Sequence, residues 1–409
     1  MNKSKKNALL TAVGCALIMF AHGGMTNTFA LNLPEFVTAF GETSAKIAVA
    51  VTVGTIFSFI LSLVGGKIIS KLTPRVTLFI SSVCAFGYGL MHYLAPNVIW
   101  LYVAGCLSGF ILALGMHACV AGLLVAHTGY FGKKISSTLA LVFAIMTLGS
   151  AVYQFVMGQV NAIVGWRVSF LIFGIVSAVI GIVANLFFLK PPVQEETHNT
   201  ASEASAAPEV GGLSVSEALK TPSFYLLFIG IAMAAMMMAG MSTYATSFWQ
   251  TYGLEATTSA TILSLLSIAC MLGSYLTGLV MQKWGGKAFL IFVFLGFAIG
   301  IILECIWSGS QVSALLYIAL LFLMWGIAGN AISSQLVPSI FGRKSYNEIN
   351  PIFMGAYYLG CALVSVLVGA IAEATSYVIA FYVLAGFAVF GLICCLLALT
   401  MAPYKKIKQ

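Results

Sequence analysis

The chain has 409 residues, 61% hydrophobic and 7% charged, with a mean hydropathy of +1.04, whereas a soluble domain carries about 25% charged residues; a water-soluble protein is excluded. The formal net charge of +8 would suit a nucleic-acid partner, but the cations lie in loops between apolar stretches, so none is expected. All 11 acids are Glu, and the nine Cys show no C-x-x-C spacing, which removes Asp-centred catalysis, a disulfide framework and a metal site, and implies no cofactor.

A membrane-spanning helix needs about 20 mostly apolar residues. Such stretches run over 8–33, 45–69, 76–95, 98–127, 135–158, 166–189, 222–250, 257–281, 288–308, 312–337, 350–373 and 377–401. These twelve predict an all-α membrane protein. The first follows Lys3, Lys5 and Lys6 and is expected to be retained, because its apolar run outlasts a signal core and supplies the parity the other loops need. With both termini cytoplasmic, 17 of the 19 Lys and Arg residues face the inside, leaving Lys46 and Arg167 outside. Translocation of loop cations is disfavoured, so this split fixes the orientation. Short loops and termini suggest a bacterial cytoplasmic membrane, with anionic inner-leaflet lipid as the basic face's partner.

The longest polar stretch, 191–220, holds Pro191, Pro192, Pro208 and five Glu. It is expected to be a cytoplasmic linker between six-span bundles at 1–190 and 221–409. Ser214 and Glu217 predict a capped surface helix leading into span seven.

The halves repeat. Gly66 to Arg75 matches Gly278 to Lys287 at an offset of 212, Phe131-Gly132-Lys133-Lys134 matches Phe341-Gly342-Arg343-Lys344 at 210, and Gly158 and Phe170 match Gly369 and Phe381 at 211. Parallel six-span repeats describe the halves of a major facilitator transporter. The glycine-plus-basic loops after spans two and eight resemble the signature loop of that superfamily, G-x-x-x-D-R/K-x-G-R/K-R/K, although Ser70 and Gln282 replace its Asp, and Thr73 and Pro74 its later Gly and basic residue. With Tyr130 to Lys134, Gly165-Trp166-Arg167 and Lys220 to Phe224, the chain resembles the oxalate/formate antiporter and monocarboxylate porter branch. The resemblance implies two six-helix halves related by a pseudo-twofold axis, alternating access by a single chain working as a monomer, and transport of a small organic anion by proton symport or anion exchange. Lys71, Arg75, Lys133, Lys283 and Arg343 are then candidate gating residues, or else simply determinants of orientation.

The superfamily lines its substrate cavity with spans one, four, seven and ten. Polar residues within a span are costly and so mark function. The candidates for substrate contact are His22, Asn27 and Thr28 on span one, His117 on span four, Tyr244 and Gln250 on span seven, and Trp325 and Asn330 on span ten. Tyr153, Tyr357 and Tyr358 flank them. No Lys or Arg lies in mid-span, so either the solute is neutral or amphipathic, or its charge is met by His, hydroxyls and amides. His117 and His22 can carry a proton, since an unperturbed His titrates near about pH 6.5; the alternative for each is a neutral ring bonded to a neighbouring helix. His92 reads as a helix-end residue, Trp249 as an interfacial aromatic, and Glu304 as an outer-end group paired with Ser or Lys, not a proton carrier. A membrane-embedded enzyme is not expected; a non-transporting sensor of the same fold is the remaining rival.

Overall fold

The computed structural model describes residues 3–131, 135–191, 212–326, 332–342 and 345–403. Among them, nine helices are long and apolar enough to cross a membrane. Two of these, Leu141–Phe188 with 48 residues and Ala256–Ser310 with 55, are too long for single crossings, since at about 1.5 Å per residue each exceeds twice a bilayer core of about 30 Å. Each breaks at a glycine with positive φ: Gly165 (φ 76°, ψ 160°) and Gly285 (φ 80°, ψ −178°). Such backbone is open to glycine and strained for other residues.

The two breaks make eleven spans, and the shorter apolar helix Ser313–Gly326 belongs to a twelfth. Span one is Lys3–Thr26 followed by Phe29–Phe40; spans two and three share Ser44–Leu94, broken at Thr73; span four runs Ile99–Phe110, Ile111–Val120 and Ala121–Ala126. Spans five and six share Ile135–Val183, and span seven is Pro222–Thr251 with its proline in the first turn, where a missing N–H costs nothing. Spans eight and nine share Ala256–Ser310. Span ten includes Ser313–Leu323 and Ile332–Phe341, span eleven is Tyr346–Ala374, and span twelve is Tyr377–Thr400. Before span seven, Val215–Leu219 forms a short helix in which Ser214 Oγ accepts the Glu217 N–H and the Glu217 carboxylate accepts the Ser214 N–H at 2.8 Å.

The chain forms two compact units. The first comprises Met1–Glu42, Val49–Ala207 and Glu255–Ser264; the second comprises Thr43–Ala48, Pro208–Leu254 and Leu265–Gln409. Each therefore takes in a short piece of the other six-span stretch, at the start of span two or of span eight.

Within the first unit, small residues let helix backbones touch. Gly149 on span five meets the Phe20 carbonyl on span one, Gly105 on span four meets that of Ala50 on span two, and Gly89 on span three meets that of Phe170 on span six. The second unit repeats the pairings. Gly360 on span eleven meets the Ala232 carbonyl on span seven, Gly273 on span eight meets that of Met324 at the end of span ten's first helix, and Gly391 on span twelve meets the Phe294 ring on span nine. Without water between helices, close packing of this kind holds a membrane bundle together. Outward faces carry exposed Ile60, Ile163 and Phe187 in the first unit and Leu272, Leu321 and Phe390 in the second, as contact with lipid requires.

Candidate functional site

Span one of the first unit is interrupted. Thr26 and Thr28 spend their hydroxyls on the carbonyls of His22 (3.0 Å) and Met25 (2.7 Å), a local bonding that competes with helix continuation. The helix stops at Thr26, turns through Asn27 and Thr28, and resumes at Phe29.

Span five receives what the turn releases. Gln154 Nε2 donates to the Asn27 carbonyl at 3.2 Å, and Asn27 Nδ2 donates to Ser150 Oγ at 2.8 Å. Ser150 Oγ lies within bonding distance of the Gly23 carbonyl (3.3 Å). Further out, Asn161 Nδ2 donates to Asn32 Oδ1 at 2.7 Å, and Asn32 Nδ2 to the Thr28 carbonyl at 2.9 Å. Ser150, Gln154 and Asn161 lie 4 and 7 residues apart, which puts them on one helical face.

Beside this turn lies a cavity of about 140 Å³ reached by Thr26 and Asn27 of span one, Thr55 of span two, Tyr88 and His92 of span three, and Ser108 of span four. Asn27 is exposed, whereas Thr28 is fully buried; of the two expected contacts, only Asn27 presents itself. Span four is wound as a π-helix over Ile111–Val120, the segment that carries His117. The side chain of His117 lies outside the described residues.

The remaining expected site residues disperse. His22 is fully buried against span three, its Nδ1 3.3 Å from Ser81 Oγ and its Nε2 unpartnered and facing Gly181 of span six. Tyr153 is 3% exposed and shares a hydrogen bond with Ser177 at 3.0 Å. In the second unit, Tyr244 is fully buried and donates to the Ser365 carbonyl at 2.5 Å. Near it the Glu373 carboxylate accepts from Ser44 Oγ (3.1 Å) and the Ala45 N–H (2.8 Å), capping the start of span two. Gln250 is half-buried at the end of span seven. Trp325 packs on Phe292 of span nine, centroids 5.0 Å apart, and Tyr357 bonds Met238 Sδ at 3.6 Å with Tyr358 beside it. Asn330, Lys133 and Arg343 lie outside the described residues. Lys71 and Arg75 are exposed, and Lys283 is exposed with its Nζ 5.3 Å from the Trp284 ring centroid.

Two readings from sequence differ from the structure, those of Trp249 and Glu304, whereas His92 lies in the last turn of its helix, as expected. His92 is fully buried there, stacked on Phe170 at 4.0 Å and donating from Nδ1 to the Tyr88 carbonyl at 2.8 Å. Trp249 is fully buried within the protein rather than interfacial. Glu304 is fully buried too, and its partner is neither Ser nor Lys but the Trp249 indole, which donates to Oε1 at 3.1 Å. Trp249 and Glu304 depart from the sequence reading because position along a span does not show which way a side chain faces. Sequence reading also passed over Ser150, Gln154, Asn32 and Asn161, whose signal was their shared face on span five and the polar run in span one.

A family model described as Major Facilitator Superfamily matches residues 15–347. No curated protein matches the chain by sequence. Among solved structures, the nucleoside transporter NupG is similar with a TM-score of 0.79 at 12% identity, covering 95% of this chain and 99% of that one. The peptide transporter POT gives 0.73 at 12%, covering 98% and 95%. A bacterial homologue of the human lysosomal transporter Spinster gives 0.69 at 14%, covering 100% and 97%. At these identities the likeness is one of fold.

Proposed function

The chain belongs to the Major Facilitator Superfamily, and on that premise we propose that it is a secondary active carrier of a small organic solute, working by alternating access. The observation that carries the proposal is the turn at Asn27: an exposed amide in an interrupted span, anchored to Ser150 and Gln154 and bordering a cavity. Interrupted membrane helices put polar backbone and side chains where a solute can use them. Asn27 contacts the solute, and the π-helical segment bearing His117 adds a group able to move a proton with it. His22 is a second protonatable group, held against Ser81. The signature-loop cations Lys71, Arg75 and Lys283, with Lys133 and Arg343 of the loops after spans four and ten, are the proposed gating residues.

The solute class we favour is a monocarboxylate-like anion, moved by proton symport or anion exchange, on the resemblance of Tyr130 to Lys134 and of Gly165-Trp166-Arg167 to that branch. The cavity lining favours a second reading, a neutral solute, because its polar members Thr26, Asn27, Thr55, Tyr88, His92 and Ser108 include no Lys or Arg. A thermal-shift screen of the purified chain against carboxylates and uncharged metabolites at two pH values separates them. Stabilisation by carboxylates, stronger at acid pH and lost in His117→Ala, supports the anion reading. Stabilisation by uncharged ligands alone ends it, and saturable binding without counterflow in vesicles points to a sensor.

A further inference from the structure

Away from the Asn27 turn, the described residues of the second unit bury one carboxyl group. Glu304 on span nine is 0% exposed; Oε1 accepts the Trp249 indole N–H from span seven at 3.1 Å, while Oε2 is buried with no hydrogen-bond partner. A buried acidic group in a membrane bundle is expensive and is retained for a reason. The indole is a donor only, so the two oxygens are unequal: one is fixed by span seven and the other stands open.

The surrounding elements offer no counter-charge. Span seven, span twelve and the Ser313–Leu323 helix of span ten contain no Lys, Arg, His, Asp or Glu, and span nine itself carries no other charged residue between Ala288 and Ser310. Their titratable groups are Cys305, the chain neighbour of Glu304, Tyr225 and Tyr244 on span seven, Tyr317 on span ten, and Tyr377, Tyr382, Cys394 and Cys395 on span twelve. Cys305 directs its Sγ to the Val378 carbonyl (3.9 Å) and Tyr244 its hydroxyl to the Ser365 carbonyl.

The repeat marks the same place in the first unit. The offset of 212 carries Glu304 back to His92 and Phe248 to Phe36, and the offset of 211 carries Phe381 to Phe170. The aromatic frame recurs: Phe248 stacks on Phe381 at 4.4 Å, and Phe36 lies 5.8 Å from Phe170 with His92 stacked on that ring. His92, like Glu304, is fully buried with one polar atom, Nε2, unpartnered. Both units thus keep a fully buried protonatable side chain with one unpartnered polar atom at the same position of the repeat.

We propose that the Glu304 carboxyl is a proton-binding site of this carrier, which takes and releases its proton at Oε2 while Oε1 stays bonded to Trp249. The inference rests on the reading of the chain as a carrier and adds a site in the second unit to the histidines of the first. One O–H bond forms or breaks, the proton is exchanged with water of the facing compartment, and the bond between spans seven and nine persists in both states.

Infrared pH-difference spectra of the full chain in phosphatidylcholine vesicles test this without a known solute. A carboxylic-acid carbonyl band that grows on acidification, disappears in Glu304→Gln and moves in Trp249→Phe is expected. A difference spectrum unchanged in Glu304→Gln overturns the proposal; should that variant not fold, a band that does not move in Trp249→Phe overturns it instead. The carrier reading fails separately, by absence of counterflow in the wild type, and that result leaves the infrared assignment standing.

Discussion

Thr73 and Gly285 stand 212 positions apart, at the same place in the repeat, and make the same backbone excursion between paired spans: φ 65°, ψ 150° at Thr73 and φ 80°, ψ −178° at Gly285. The superfamily loop has glycine there, and only the second copy keeps it. A β-branched residue with positive φ is strained, by an amount on the order of 1–3 kcal/mol. Thr73→Gly is therefore expected to stabilise the protein by about 1 kcal/mol after the added chain entropy of glycine, and Gly285→Ala to destabilise it by a similar amount. Melting curves of both variants in detergent check the pair; a Thr73→Gly protein melting below wild type contradicts the argument.

That pair also shows how far the sequence could be read. Twelve apolar stretches, the repeat and the family were legible because lipid imposes length and composition on every span. Gly158 and Gly369, picked out only as repeat marks, turn out to be notches: Gly158 receives Ala260 and Gly369 receives Ala45. The site was less legible. Asn27 was visible as a polar residue in a span, but Ser150 and Gln154 matter through partners more than 120 positions away, and no local pattern gives such pairings. Glu304 was set aside because a span end suggests solvent, whereas Trp249 encloses it.

The notches give a second prediction. A leucine at Gly158 or Gly369 would occupy the space now held by the starts of spans eight and two. Gly158→Leu and Gly369→Leu are expected to insert into membranes but lose solute transport at least tenfold, whereas Gly122→Ala, where nothing lies within 4 Å, leaves it unchanged. Uptake by cells expressing each variant, normalised to membrane abundance, provides the check.

Arg167, at the start of span six, donates from Nη1 to the carbonyls of Ala95 (2.6 Å) and Tyr93 (3.2 Å) and lies over the Trp166 ring at 4.5 Å. Hydrogen bonds from a charged donor contribute about 1.5–3 kcal/mol. Arg167→Ala is expected to lower stability by about 2 kcal/mol, with Arg167→Lys intermediate because a lysine lacks the planar fork. Equal melting temperatures for wild type and Arg167→Ala would show that these bonds do not hold the corner between spans three and six.

The anchored turn yields a division of effects. Ser150→Ala removes the acceptor of the Asn27 amide and is expected to cost about 1 kcal/mol of stability. Asn27→Ala removes the exposed group itself and is expected to weaken solute binding about tenfold or more, about 1.4 kcal/mol, with a smaller change in melting temperature. Ligand-induced thermal shifts measured in both variants separate the anchor from the contact.

The most direct test of the carrier reading is counterflow in proteoliposomes loaded with members of a carboxylate and neutral-metabolite panel. We expect saturable counterflow of at least one small organic acid, reduced about tenfold in Asn27→Ala and abolished in Gly369→Leu. Ligand binding by the wild-type protein with no counterflow of any solute in the panel would contradict it.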